Sequence, residues 1–277
     1  MKRGHACLLL IASGCNSAFG LEPTVTRFDA RPIDAPGCAD GVFGSPTVVT
    51  SFDNGLRDFE PALRHDLLEV WAHQVATVDE IWRATRTDVT EPFGAPVKAS
   101  FSSATDDGRP TLSGDGLRML FLSDRAGGND VWEVTRSSLG EDFGSPRAVV
   151  GFADHNLLSL DVTFDGLTLY FKDSSQIDDA VYTATRATLD APFIVSPAIV
   201  ALGASSPAIS PDDLELFYNT PGTNQLWKVV RASPTEPFTS PPVLVLEDGE
   251  DPDLAADGRT LVTTRNSSLV IHQRSCP

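Results

Sequence analysis

Phenylalanine returns at positions 43, 93, 143, 193 and 238, each time followed within four residues by proline, at steps of 50, 50, 50 and 45 residues. An aromatic side chain keeps the same step at Trp82, Trp132, Tyr182 and Trp227, and an arginine lies four residues beyond each, at Arg86, Arg136, Arg186 and Arg231. A third landmark, the aspartates 66, 115, 165, 212 and 257, recurs with them. Landmarks that share one period describe an array of units, each unable to bury its apolar face alone and obliged to pack on its neighbours.

The stretch Asp107 to Pro146 shows what one unit contains. A short strand (Pro110 to Ser113) is followed by an Asp115-Gly116 turn, an apolar strand (Leu117 to Leu122), a polar Gly-rich loop, a strand centred on Trp132, and Phe143-Gly-Ser-Pro opening a fourth. Short strands between Asp-Gly and Gly-Gly signals make an antiparallel meander. The segments after the turn aspartates read LEVWA, LRMLF, LTLYF, LELFY and RTLVT. Their apolar ends suit strands buried on both faces between neighbouring sheets. The turn aspartates bond nearby backbone where glycine supplies positive φ, and are read as structural.

Four-stranded units with a period near 50 point to a β-propeller. Full units occupy about 58–100, 108–150, 158–200 and 205–247; residues 251–277 supply only three strands, and Phe43 to Phe52 is an orphan fourth. The fold expected is all-β: a five-bladed propeller of four-stranded antiparallel blades, closed by the N-terminal strand pairing with the C-terminal blade. Closure removes sheet edges that would invite association, so the expectation is a monomer. The segments SGDGLRMLFLSDRAGGNDVWEV (113–134) and SPDDLELFY (210–218) resemble the WD40-like repeat of TolB-type β-propellers, and degenerate copies cover 58–277. The poorest copy has Arg64-His65-Asp66-Leu67 in place of Ser-Pro-Asp-Gly. The resemblance implies a propeller serving in the bacterial cell envelope as a binding platform, without a set ligand or catalytic residue.

The chain opens with a basic Met1-Lys-Arg-Gly-His followed by the apolar run Ala6 to Ala12, too short to cross a bilayer and matching an export signal. Ser13-Gly14-Cys15 resembles the lipobox of bacterial lipoproteins, although Ala12 stands where that family usually has leucine. The resemblance implies a leader at 1–14, lipidation of Cys15, and an outer-membrane-anchored protein, since Asn16 does not resemble the inner-membrane retention signal. Cleavage after Ala18-Phe19-Gly20, giving a secreted protein, is the alternative. Residues 15–37 read as a flexible tether, and 38–277 as a single propeller domain.

The net charge is −17, and losing Lys2 and Arg3 with the leader makes it more negative by two. Such an excess repels nucleic acid and favours a cation or a basic partner. Propeller topology sends the blade-to-blade loops and the second-to-third strand loops to one face. That face then carries Asp58, Glu60, Asp106, Asp107, Asp124, Arg125, Asp161, Asp251 and Asp253, with Asp173, Asp178 and Asp179 nearby. Four readings are open: a solvated acidic rim with no specific role, a Ca²⁺ site of carboxylate and carbonyl oxygens, direct capture of a basic partner or other ligand, or a glycoside-hydrolase centre. The last needs two carboxylates flanking a sugar bond at about 5–9.5 Å, with Asp58, Asp107, Asp161 and Asp251 as its candidates. The histidines show no metal-ligand or triad spacing. No other cofactor is implied.

Two cysteines remain beyond the leader and the lipidation site. In each intact blade the third-strand arginine precedes the fourth-strand phenylalanine by seven residues; in the split blade the matching pair is Arg274 and Phe43. Cys276 lies two residues beyond that arginine and Cys38 five before that phenylalanine, so both fall at one point of the same loop. An exported location permits a disulfide between them. Non-reducing peptide mapping of the oxidised mature protein is expected to recover the two cysteine peptides joined; recovery of both unlinked would refute the clasp.

Overall fold

The computed structural model describes residues 41–176 and 180–275, and the regular elements among them are β-strands apart from one 3-10 turn at Thr50–Phe52. The leader, the tether, Cys15, Cys38, Cys276, Asp178 and Asp179 lie outside the described residues. No helix among the described residues is long and apolar enough to cross a membrane.

Five antiparallel sheets form a five-bladed β-propeller. Blade 1 comprises Arg57–Leu63, Glu69–Val75, Asp79–Thr85 and Val97–Lys98; blade 2, Asp107–Leu112, Arg118–Ser123, Asp130–Thr135 and Arg147–Ala148. Blade 3 comprises Leu157–Val162, Thr168–Asp173 and Ala180–Thr185, with an outer strand broken into Ile194–Val195 and Ala201–Leu202. Blade 4 comprises Ser205–Ile209, Glu215–Asn219, Leu226–Val230 and Val243–Leu246. In blade 5, Glu250–Leu254, Thr260–Arg265 and Ser268–Ser275 are completed by Val42–Phe43 and Thr47–Val48 from the start of the described chain. Phe43 pairs with Arg274 and Val42 with Ser275, so the split blade closes in the register expected.

Alternation along a middle strand explains why blades stack. Met119 and Phe121 enter the apolar cluster shared with blade 1, while Leu120 and Leu122 enter the one shared with blade 3. All four are essentially inaccessible, so both faces of the strand are core. Trp82, Trp132, Tyr182 and Trp227 each pack into the gap toward the preceding blade.

The repeated arginine fastens each blade to itself and, in most cases, to its predecessor. Its guanidinium lies over the fourth-strand phenylalanine in all five blades, 4.3 Å from the ring centre for Arg86–Phe93, 4.5 Å for Arg136–Phe143 and Arg231–Phe238, and 4.6 Å for Arg186–Phe193 and Arg274–Phe43. Cation–π attraction of this kind strengthens when desolvated. Nε donates to the carbonyl of the residue held at positive φ in the first turn: Leu67, Gly116, Gly166 and Asp213 in blades 1 to 4. Across the blade gap Arg136 pairs with Glu69 at 2.8 Å, Arg186 with Glu133 at 3.1 Å and Arg274 with Glu215 at 2.8 Å. In blade 4 the Phe238 ring under Arg231 packs edge-on against Tyr170 of blade 3, with ring centres 6.4 Å apart.

The turns confirm their structural reading. Ser113, Thr163 and Ser210 donate hydroxyl hydrogen bonds to Asp115, Asp165 and Asp212, and each of these carboxylates accepts an N–H two residues on. In the degenerate first copy Arg64 replaces the hydroxyl, donating from Nε to Asp66 at 2.7 Å.

Both groups of the Arg136–Glu69 pair are buried, and Glu69 also pairs with Arg64 at 3.0 Å. Glu69→Gln, which leaves Arg136 without its carboxylate, is expected to cost about 3–5 kcal/mol, and Arg136→Met, which leaves Glu69 its second arginine, somewhat less. Arg86→Met, at a half-buried residue bonded to backbone carbonyls, should cost clearly less. Urea denaturation of the three variants checks the order.

Candidate binding site at the channel mouth

Four of the five inner strands reach the channel through the same local irregularity. Glu60, Arg109, Ser206 and Asp251 have φ of 50°, 57°, 46° and 48°, and each precedes a proline: Pro61, Pro110, Pro207 and Pro252. Proline has no N–H for the ladder and disfavours helical backbone in the residue before it. The pairing register accordingly shifts between Phe59 and Ala62, Gly108 and Thr111, Ser205 and Ala208, and Glu250 and Asp253. Such bulges re-aim a side chain. Blade 3 has Leu160 in place of the proline and shifts its register at Leu157/Ser159.

The bulged residues Glu60, Arg109, Ser206 and Asp251, with Ser159, line a depression of about 340 Å³ at one end of the channel. Arg109 Nε lies 3.1 Å from Glu60 Oε1 and also donates to the Leu158 carbonyl. The other Glu60 oxygen is 3.1 Å from His73 Nδ1, and His73 Nε2 is 3.0 Å from Asp79. Burial disfavours the imidazolium of His73, but the Glu60 hydrogen bond and the charges of Glu60 and Asp79 outweigh it and raise its pKa. Ser206 Oγ donates to Asp251 at 2.8 Å, and the Asp251 N–H donates to Asn219. Burial, and then the nearby charge of Glu60, push the Asp251 carboxyl up to about 7.

The residues expected on this face divide into three groups. Glu60, Asp161, Asp251 and Asp253 do converge on the channel, joined by Arg109, Ser159 and Ser206. Asp58 and Asp107 do not stand on the rim: they are 1% and 0% exposed. The bulge separates them from the channel-lining positions and turns them toward their own blade, where Gln74 donates to Asp58 at 2.5 Å and Arg125 to Asp107 at 2.7 Å. Burial raises Asp58 to about 6. Arg125 is likewise committed inward, over the rings of Phe121 and Trp132. Asp106 and Asp124 remain above blade 2, joined by an Asp124 N–H bond to the Asp106 carbonyl. The signal that marks the mouth in the sequence is the residue–proline pair opening four of the five inner strands.

Among the described residues no three Asp, Glu, His or Cys side chains are grouped to hold a metal ion. A second depression, of about 440 Å³, lies at the turn end of the channel, lined by His65, Ser113, Phe164 and Pro211 among others. Asp161 and Asp253 line both depressions.

No protein-family model matches the chain, and no curated protein matches it in sequence. The fold is similar to that of TolB from Acinetobacter baumannii, with a TM-score of 0.52 and 14% identity over 79% of this chain and 54% of that one. The chain therefore spans about half the length of that structure. A putative TolB from Agrobacterium tumefaciens gives a TM-score of 0.50 and 14% identity, covering 74% of this chain and 69% of that one. A protein of unknown function from Dyadobacter fermentans gives 0.50 and 11%, covering 78% and 76%. These likenesses establish a TolB-like β-propeller fold.

If Asp107 is an internal brace, unpairing it should damage stability and leave the mouth intact. Arg125→Leu is expected to lower stability by about 3 kcal/mol. The backbone amide NMR shifts of Glu60, Ser206 and Asp251 should be unchanged in that variant.

Proposed function

We propose that this protein is a non-enzymatic binding platform of the cell envelope, exported, anchored through lipid on Cys15, and monomeric. Its channel mouth receives a basic segment of a protein partner. The observation that carries this reading is the convergence of Glu60 and Asp251 from adjacent blades on one open depression, in a chain of net charge −17. Burial, and after it the charge of Glu60, raises the Asp251 carboxyl to about 7 against the opposing charge of Arg109, which is itself paired with Glu60. A Lys or Arg side chain entering the depression would add positive charge and draw the proton off Asp251. The TolB-like fold and the resemblance of its repeat to that family support an envelope location.

A carbohydrate-active role has less support. Of its four carboxylates, Asp58 and Asp107 are shut inside their blades. Both oxygens of Asp161 already accept hydrogen bonds from protein groups.

Pentalysine is a suitable probe. Its titration into the mature protein at low salt should shift the amide NMR signals of Glu60, Arg109, Ser206 and Asp251 ahead of those at the turn face, such as Glu141 and Thr235. Asp251→Asn should weaken binding by about tenfold, or about 1.4 kcal/mol. Shifts scattered over both faces, or affinity unchanged in the variant, would overturn the assignment to the mouth.

A further inference from the structure

The depression at the turn end of the channel is a well built from equivalent positions of the five blades. Leu63, Leu112, Val162, Ile209 and Leu254, the last residues of the five inner strands, form an apolar collar. Two residues further on, toward the turns, His65, Gly114, Phe164, Pro211 and Ala256 form the next level. The ring of Phe164 lies so close against the Gly114 backbone that a side chain at that glycine would overlap it. Below the collar the lining ends on Asp161 and Asp253, which also line the depression at the mouth.

The repeat does not demand these two carboxyls, since blades 1, 2 and 4 fill the same position with Ala62, Thr111 and Ala208. The ring nevertheless equips them to carry charge. Asp161 Oδ1 accepts the Thr111 hydroxyl at 2.6 Å and the Val162 N–H at 2.9 Å, and its Oδ2 accepts the Ile209 N–H at 2.7 Å. Asp253 Oδ2 accepts the Leu63 N–H at 2.6 Å. Hydrogen bonds donated to a carboxylate favour its ionised form. Burial acts the other way at both residues, so the charged floor is costly until a cation joins it. No lysine or arginine among the described residues lines the well to supply that cation. Two polar atoms of the lining, Asp253 Oδ1 and His65 Nδ1, have no hydrogen-bond partner among the described residues.

This combination selects a class of ligand. A hard metal ion takes about six oxygens or more, and an aliphatic collar offers none. A primary ammonium with a short hydrocarbon body meets both requirements: N–H donors for the free carboxylate oxygen, and apolar surface for the collar. We propose that the turn end of the channel binds a small organic ammonium ion, its apolar body inside the collar and its charge on Asp253 and Asp161. The site is separate from the mouth and opens on the opposite face of the ring.

n-Butylammonium tests this in the mature protein by amide NMR at about pH 8, where the amine keeps its proton. The Leu63, Val162 and Ile209 amides, held by the two carboxyls, should shift together along one saturable curve in the millimolar range. n-Butanol, the same body without the charge, and ammonium, the charge without the body, should each bind at least about tenfold more weakly. Asp253→Asn, which keeps the side-chain volume and removes the charge, should weaken n-butylammonium by a similar factor. Equal affinity for n-butanol or ammonium, unchanged affinity in the variant, no saturable shift, or shifts confined to Glu60, Ser206 and Asp251 would each overturn the proposal. If the variant does not fold, the n-butanol and ammonium comparisons in the wild type decide alone. Pentalysine at the mouth is read at different amides, so either site can fail without the other.

Discussion

The ring depends on an arginine guanidinium at the end of every third strand, buried in blades 2, 3 and 5 and half-buried in blades 1 and 4. Its plane covers the phenylalanine that opens the outer strand, and its Nε reaches the carbonyl in the first turn in four blades. One residue thereby ties the first turn, third strand and fourth strand of a blade. Where its terminal nitrogens also meet a carboxylate of the preceding blade, it ties two sheets that otherwise touch through apolar side chains. Arginine suits this position because its planar fork supports stacking and hydrogen bonding together, which a lysine ammonium cannot do. The Arg274–Phe43 contact carries the same unit across chain segments far apart in sequence, so closure repeats a local rule already used four times.

That rule explains what the sequence makes legible. Arg136 and Phe143 keep a fixed spacing because they contact each other within a blade, and every blade repeats the contact. The carboxylate partners are not legible in the same way. Glu69 and Glu215 sit on second strands, whereas Glu133 sits on a third. A partner supplied across a gap has only to reach the guanidinium, and several strand positions allow it. The depth of Asp58 and Asp107 is hidden for a different reason: Gln74 faces Asp58 across the first hairpin, Arg125 lies two residues past the cross-strand partner of Asp107, and this distinction shows only once the strands are paired.

The inner strands show how a small backbone irregularity creates a site. A regular strand would alternate its side chains between the two blade faces and offer the channel little. A left-handed residue ahead of proline is strained, typically by about 1–3 kcal/mol, and persists only where neighbouring strands over-determine it. Four blades accept this cost in the same register, and the residues so presented are the acidic, basic and hydroxyl groups of the mouth. The prolines were visible in the sequence, but their consequence was not. A lone residue–proline pair reads as an extended dipeptide, and the bulge becomes apparent only when the strand is paired.

Equivalent blades make a symmetric scaffold, and symmetry alone recognises nothing. The copies agree at the outer positions that hold the ring together: the turn aspartates, the arginines and their phenylalanines. They disagree around the axis, where successive blades present Glu60, Arg109, Ser159, Ser206 and Asp251 at the mouth, and Ala62, Thr111, Asp161, Ala208 and Asp253 one level below. Acidic groups at both levels belong to blade 5, the blade assembled from both chain ends, and blade 5 adjoins the acidic Glu60 of blade 1. Negative charge is thus concentrated on the inner strands at the axis, while the cross-strand pairs Phe43–Arg274 and Thr47–Ile271 that close the ring lie at the outer edge of blade 5, two strands away from Asp251. Closure and recognition therefore use opposite edges of the same blade, and the residues at the mouth can differ from blade to blade without disturbing the contacts that complete the ring.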